Sequence, residues 1–266
     1  HIEDMHLNGG TKLKSLKRAS GISLSPEAFK RQNTVKDDWQ KTFGNPTPVG
    51  LLGILLSLTP LSCDLMGWRG AGGNGIASMG AYLFFGGLLL IISGILEFVL
   101  GNTFPFVVFM SFGAFWLSYA ITLQPSYSAY TAYAPTNSTS SAAGLATKGF
   151  NASFGFLLLF MGVLCLVFLI CSLRTNIVYV VVFATLVAAF GLLTGEHFQL
   201  AVGNTDLAAS LQVAAGAALF VTSMAIWWIF FATMLEALDF PFQIPVGDLS
   251  WIIKGASSHS EESTLA

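Results

Sequence analysis

Few residues in this chain have the type and setting that chemistry requires, and the first of them is Glu97. This carboxyl group lies inside a long apolar run, and ionisable residues in such runs are functional candidates by default. Glu97 could relay a proton. It could instead anchor Asn102 and Thr103, which must form the sharp reversal after that run together with Gly101. The sequence leaves both roles open.

Other patterns resemble enzyme motifs only in part. Residues 70–75 carry the glycine spacing of a dinucleotide-binding loop, but they follow an apolar run and not the strand that such a loop needs. Glu196 and His197 lack the spacing of a metalloprotease helix, so His197 is interpreted as an interfacial residue or a pH sensor. The three cysteines match neither a disulfide framework nor a zinc site. We therefore expect no enzyme, no catalytic residues, no cofactor and no metal site.

The composition places the chain in a membrane. Hydrophobic residues make up 54% of the 266 residues and charged residues only 10%, whereas a soluble domain carries about a quarter charged residues. Six apolar runs each reach the roughly 20 residues that cross a bilayer as a helix. We predict an all-α integral membrane protein with six transmembrane helices per protomer, at about residues 48–68, 77–100, 104–123, 152–173, 177–195 and 207–236.

The basic residues predict the orientation of these helices. Eight of the twelve lysines and arginines precede the first run, which places the amino terminus in the cytoplasm. Six crossings then return the carboxyl terminus to the same side. We expect a basic, largely disordered cytoplasmic tail over residues 1–44, a six-helix transmembrane domain over 45–240, and a cytoplasmic tail over 241–266.

Two modification sites follow from this orientation. The connection 124–150 would be extracellular, and it contains Asn137 in an Asn-Ser-Thr glycosylation signal. In the basic tail, Ser20 follows Lys17-Arg18-Ala19 and is a phosphorylation candidate. The clustered cations of this tail favour anionic lipids of the inner leaflet, so the expected partner is the bilayer and not a nucleic acid.

Glycines recur every seven residues along the second run, at Gly80, Gly87, Gly94 and Gly101. On one straight helix they would stack along one face and let a neighbouring helix approach closely. We interpret this face as a packing surface.

The first run is preceded by a Pro-rich segment, residues 45–51, which reads Asn-Pro-Thr-Pro-Val-Gly-Leu. Pro46 and Pro48 each remove a backbone donor and disfavour helix in the residue before them. Non-helical backbone near membrane depth requires burial in protein or contact with water. Asn45 and the free N–H groups at the start of the first helix could therefore bind an anion. An ordinary proline-containing helix start is the alternative.

The Pro-rich segment, with Asn45, Pro46, Pro48 and Gly50, resembles the Asn-Pro-Ala-Pro-Leu-Gly-Leu signature of the acetate uptake transporter family. Further blocks agree in the same order over roughly residues 42–250. They are Phe84-Phe85-Gly86-Gly87, Gly94-Ile95-Leu96-Glu97, Gly101-Asn102-Thr103-Phe104, residues 111–116 and residues 244–249. That family contains bacterial acetate–succinate permeases and fungal acetate transporters, some of them linked to ammonium export.

The resemblance implies six helices per protomer, a central pathway in each protomer, and a homo-oligomeric ring of six. It also implies an apolar constriction at Ile54, Phe112 and Leu186, the last of these aligned across a one-residue gap. The chain departs from the family pattern where it has Phe85 and Phe112 in place of Tyr and Leu90 in place of Gln. These changes would make the pathway drier.

An apolar constriction cannot replace the hydration of an ion, so a passenger must cross with its charge cancelled. We predict a plasma-membrane transporter or channel for acetate and similar short-chain monocarboxylates, either proton-coupled or passing the neutral acid. Its partners would be a small carboxylate, protons, the lipid bilayer and other copies of the chain. An ammonium or ammonia exporter and a non-transporting membrane sensor or scaffold are the alternatives.

Overall fold

The computed structural model describes residues 43–127 and 129–249, and these form six long helices. All six are long and apolar enough to cross a membrane, and no strand occurs in the described residues beyond one isolated bridge. The prediction of an all-α protein with six spanning helices is confirmed. The helices are α1 (Thr47–Leu65), α2 (Gly73–Val99), α3 (Thr103–Leu123), α4 (Lys148–Ser172), α5 (Ile177–Val202) and α6 (Thr205–Ala237).

Two helices end at least three residues away from their predicted carboxyl-terminal limits. Helix α1 ends at Leu65, three residues before the predicted limit of 68. Helix α5 continues seven residues beyond the predicted limit of 195 and stops at Gly203, whose φ of 82° ends the helix. Glu196 and His197 are therefore part of the helix.

Consecutive helices reverse direction, so the bundle has two distinct ends. Four of the five connections are short, and Phe104 at the start of α3 contacts Phe168 near the end of α4. At the Asn45 end, α1, α3 and α5 begin and α2, α4 and α6 finish; a hydrogen bond from Thr47 to Glu97 joins α1 to α2 there. At the long-loop end lies the connection 124–147, which contains three short 3-10 turns. A hydrogen bond from Tyr119 to Asn74 joins α3 to α2 at that end.

Helix α2 changes pitch along its length. It begins as a 3-10 helix over Gly73–Ser78, makes one α-helical turn, continues as a π-helix over Tyr82–Leu89, and ends as an α-helix over Leu90–Val99. A π-helix turns through a smaller angle per residue than an α-helix, so a seven-residue repeat cannot hold one face across it.

The glycine pattern on α2 is accordingly only partly a packing surface. A Cβ atom at Gly87 would collide with Leu117 of α3, and one at Gly94 would collide with Met110 of the same helix. Gly80 and Gly101 have no described neighbour within 4 Å of that position. Gly101 serves instead in the reversal before α3, where its φ of 74° is one that other residues rarely adopt. The middle of α2 thus packs closely on α3.

After α6 the chain returns as an extended segment along the α4–α5 turn. The Ile177 N–H donates to the Gly247 carbonyl at 2.8 Å, and the Leu249 N–H donates to the Thr175 carbonyl at 2.9 Å. The Trp228 indole also donates to the Pro245 carbonyl at 3.0 Å. This part of the expected carboxyl-terminal tail is thus hydrogen-bonded to the helices. Ser20 and the rest of the expected amino-terminal tail before Phe43 lie outside the described residues.

Candidate functional site

A cavity of about 110 Å³ lies among the helices. One water molecule needs roughly 10–15 Å³ of such space, so the cavity has room for several waters or one small organic acid. Ile54, Phe112 and Leu186, which the sequence assigned to the constriction, all line it. Phe112 and Leu186 are only 7% and 6% exposed. The structure therefore places these three side chains along the same cavity.

Regular helical spacing puts the lining residues on one face of each helix. On α1 the lining positions are Leu51, Ile54, Leu58, Leu61 and Leu65, separated by three or four residues. Side chains at these intervals share one helix face. Helices α3 and α5 contribute faces of the same kind, and the lining is apolar over most of its length.

The Pro-rich segment forms a regular helix start. Helix α1 begins at Thr47, and the Asn45 side chain accepts a hydrogen bond from the Thr47 N–H at 3.0 Å. The N–H groups of Val49 and Gly50 both donate to the carbonyl of Pro46, at 3.1 and 3.4 Å. Proline at residue 48 has no N–H to offer. The backbone N–H donors that could have bound an anion are thus occupied. The observed geometry is that of an ordinary proline-containing helix start.

Gly50 allows α1 to approach a residue of the cavity lining. A Cβ atom at this position would lie 2.6 Å from the ring of Phe109 on α3. Phe109 is 3% exposed and lines the cavity. The Pro-rich segment therefore bears on the pathway through helix packing, since any side chain at Gly50 would displace Phe109.

Glu97 is fully buried at the Asn45 end and both of its oxygens are used. It accepts hydrogen bonds from the Thr47 hydroxyl and from the Asn102 side-chain amide, each at 2.5 Å. The sequence grouped Thr103 with Asn102 as a partner of Glu97. In the structure Thr103 begins α3, and the second partner of Glu97 is Thr47. Glu97 does not line the cavity. Of the two roles that the sequence left open, this geometry favours the anchor.

Only one of the three departures from the family pattern lies in the cavity. Phe112 lines it, whereas Phe85 and Leu90 do not. Leu90 is fully buried and packs beside Gly53 of α1 and Gly113 of α3. Its apolar side chain therefore belongs to the contacts between helices.

The long-loop end of the cavity is polar; the sequence singled out Glu196 and His197 there but did not place them in a pathway. Glu196, His197, Tyr119 and Asn74 line the cavity there. The Tyr119 hydroxyl donates to the Asn74 carbonyl at 2.8 Å, and His197 Nδ1 lies 3.1 Å from the Leu193 carbonyl. The signal that could have found them is the apolar stretch Leu200-Ala201-Val202, which continues the helix beyond Glu196.

The remaining candidates lie apart from the cavity. Asn137 is exposed in a turn of the long loop, as its expected modification requires. Cys165 is buried, whereas Cys171 is exposed. Within residues 43–127 and 129–249, no three histidine, cysteine, aspartate or glutamate side chains cluster as they would around a metal ion.

The chain is similar to known membrane proteins over most of its length. The model of the GPR1/FUN34/yaaH family matches residues 29–251. Protein alcS of Aspergillus fumigatus is 48% identical over 210 residues, which are 79% of this chain and 77% of that protein. Acetate transporter protein patA of Penicillium expansum is 29% identical over 244 residues, which are 91% of this chain and 93% of that protein.

The fold also matches a solved structure, that of the bacterial acetate channel SatP. The TM-score is 0.54 at 26% sequence identity, and the match covers 77% of this chain and 99% of that one. The six apolar helices and the family match agree. The chain is a multi-pass membrane protein and belongs to the GPR1/FUN34/yaaH family.

Proposed function

We propose that this protein carries acetate and similar short-chain monocarboxylic acids across a membrane through the cavity among its helices. The names of its relatives support this substrate class, and so does the size of the cavity. The observation that carries the proposal is that Ile54, Phe112 and Leu186 all line one largely apolar cavity. In this proposal the three side chains form an apolar ring around the passage.

This ring defines what can pass. Because apolar side chains cannot replace the hydration of an ion, a bare carboxylate or a halide meets a high barrier there. A neutral acid with a short alkyl end loses only the hydration of one polar group and gains apolar contact. The passenger thus crosses as the uncharged acid, whether it arrives with its proton or receives one inside the protein.

The Asn45 end holds the scaffold of this pathway. Glu97, with Thr47 and Asn102, joins the start of α1 to the end of α2 and to the turn before α3. Ser93 adds a hydrogen bond of 2.8 Å to the Pro46 carbonyl. In this proposal Glu97 acts as an anchor that fixes the position of α1 against the cavity, and it carries no proton for the substrate.

The proposal also includes the membrane, the orientation and the oligomeric state of the protein. We place the protein in the plasma membrane, and the eight basic residues before α1 support an orientation with both termini in the cytoplasm, which places Asn137 outside. Large apolar side chains are exposed along α2 and α4, including Phe84 and Phe160 at 64% and 67%. These faces suit contact with lipid or with other copies of the chain in a hexamer.

Uptake of labelled acetate into vesicles containing the purified protein tests the function. We expect uptake faster than in protein-free vesicles, faster still at acidic external pH, and depressed by excess propionate. Depression by ammonium and not by propionate would indicate an ammonium or ammonia exporter instead. Uptake equal to that of protein-free vesicles at every pH would favour a sensor or scaffold without transport.

A further inference from the structure

Glu196 is a buried carboxyl group with an unused oxygen at the polar end of the cavity. Its side chain is 5% exposed and lines the cavity. Its Oε2 atom is buried and has no hydrogen-bond partner within the described part of the chain. A buried carboxylate is strongly destabilised unless it is paired and hydrogen-bonded. The geometry therefore leaves one carboxyl oxygen free to meet a ligand.

The polar groups beside Glu196 are already committed. On its own helix, His197 Nδ1 lies 3.1 Å from the Leu193 carbonyl, and the His197 ring packs against Phe154 of α4 at a centroid distance of 5.1 Å. On α3, Tyr119 also lines the cavity, but its hydroxyl donates to the Asn74 carbonyl at 2.8 Å. Neither His197 nor Tyr119 donates a hydrogen bond to the Oε2 atom of Glu196.

The charged groups on the other helices do not neutralise Glu196 either. The Tyr82 ring of α2 packs against Tyr119 at a centroid distance of 5.5 Å, and neither Tyr82 nor Asp64 of α1 is a cation. Arg69 follows α1, Lys148 begins α4 and Asp206 lies at the start of α6; all three are exposed and outside the cavity lining. The described lining contains no lysine or arginine. An approaching carboxylate thus meets Glu196 without a fixed positive charge beside it.

We propose that Glu196 passes a proton to the carboxylate substrate at the long-loop end, so that the substrate enters the apolar ring as the neutral acid. This inference rests on the proposed function. In the step, the O–H bond of protonated Glu196 breaks and an O–H bond forms on the substrate. Glu196 is left as a carboxylate and regains a proton from water at the long-loop end. Outward movement runs the same step in reverse.

The order of residues along α5 suits this step. The lining positions change from Glu196 through Leu193 and Phe190 to Leu186, from polar to apolar in one direction. At 1.5 Å per residue, Glu196 lies about 15 Å along the helix from the ring at Leu186. The substrate meets the proton donor before it reaches the part of the pathway that excludes charge.

This step can be measured by tracer exchange of acetate, with equal pH and equal acetate concentration inside and outside the vesicles. Under these conditions the result does not depend on how the protein is oriented in the membrane. The pH range is chosen where nearly all acetate is ionised, so the neutral acid falls about tenfold per pH unit while the carboxylate stays constant. Exchange in protein-free vesicles is subtracted at each pH. The protein-dependent rate then shows which form of the substrate is used.

For the wild type we expect exchange that falls by clearly less than tenfold per pH unit over part of the range, because protonated Glu196 uses the abundant carboxylate. In Glu196→Gln the side chain has no proton to give. Its exchange should be slower and should fall about tenfold per pH unit throughout, as the neutral acid does. The matched control Glu236→Gln, at an exposed carboxyl near the end of α6, should keep the wild-type dependence.

Two results would overturn the inference. The first is a Glu196→Gln variant with the wild-type pH dependence; loss of the shallow region in His197→Gln would then assign the proton to the neighbouring histidine. The second applies if Glu196→Gln is not monodisperse: Glu196→Asp still carries a proton, so a tenfold fall per pH unit in that variant would contradict the step. Wild-type exchange no faster than in protein-free vesicles would instead overturn the proposed function itself.

Discussion

The two ends of the helix bundle each bury a glutamate, and they use it in opposite ways. At the Asn45 end, both oxygens of Glu97 accept hydrogen bonds, from Thr47 and Asn102, and the residue lies away from the cavity. At the long-loop end, Glu196 lines the cavity and its Oε2 atom has no partner among the described residues. Burial is nearly the same for both. The partners therefore separate a structural anchor from a group that is free to react.

The largest difference between the two carboxyl groups should appear in stability. Glu97→Ala leaves the Thr47 hydroxyl and the Asn102 amide without their acceptor in a buried site, and we expect a loss of about 2–4 kcal/mol in the free energy of unfolding. Glu196→Ala removes no hydrogen bond and should cost less than about 1 kcal/mol. Unfolding by SDS in mixed micelles measures both variants. Equal losses would remove the distinction between the two ends.

The helix start at the Asn45 end should influence the cavity through packing. In Gly50→Ala, the new methyl group meets the Phe109 ring, and such overpacking typically costs about 1–3 kcal/mol. Displacement of the Phe109 side chain into the cavity should also slow acetate exchange several-fold. Gly191→Ala is the matched control, since a Cβ atom there has no described neighbour within 4 Å. Unchanged exchange in Gly50→Ala would show that Phe109 does not narrow the passage.

Between the two ends, Phe112 should set the size of acid that passes. Phe112→Ala should widen the proposed ring of Phe112, Ile54 and Leu186, and uptake of lactate or succinate relative to acetate should rise about tenfold, equivalent to about 1.4 kcal/mol. Phe156→Ala removes an aromatic ring that is 55% exposed on α4 and outside the cavity, and should keep the original substrate range. If Phe112→Ala keeps that range and rate as well, Phe112 does not line the passage.

The smallest effect isolates one hydrogen bond of the anchor. Thr47→Val keeps the shape of the side chain but removes the hydroxyl that donates to Glu97, and we expect a loss of about 1 kcal/mol in stability. Thr47→Ser keeps the donor and should lose less. The pH dependence of acetate exchange should stay as in the wild type in both variants. A changed pH dependence would return the proton-relay role to Glu97.

The sequence predicts most of this fold because apolar runs of about 20 residues have few alternatives to a membrane helix. The three constriction residues, taken from the family resemblance, all lie in the cavity lining. Gly101 and Asn102 form the reversal expected of them. These features depend on local patterns or on shared motifs, and such patterns are visible without coordinates.

The contacts that distinguish the two glutamates are not local. Thr47 and Glu97 are separated by 50 residues, so no periodicity along the chain connects them. The sequence predicts that the fifth helix ends at residue 195, just before Glu196, and His197 is interpreted as interfacial or as a pH sensor, yet the helix continues to Val202. Whether a carboxyl group at such a point is paired or unpaired depends on the helices around it. That information exists only once the helices are packed.

The central claim is that the cavity among the helices is the passage for the acid. Modification of Ile54→Cys with a small water-soluble thiol reagent, in a variant without Cys63, Cys165 and Cys171, tests this claim most directly. We predict that modification stops acetate exchange, that acetate slows the modification, and that the same reagent at exposed Phe156→Cys leaves exchange unchanged. Complete modification at Ile54→Cys with exchange at its original rate would contradict the account.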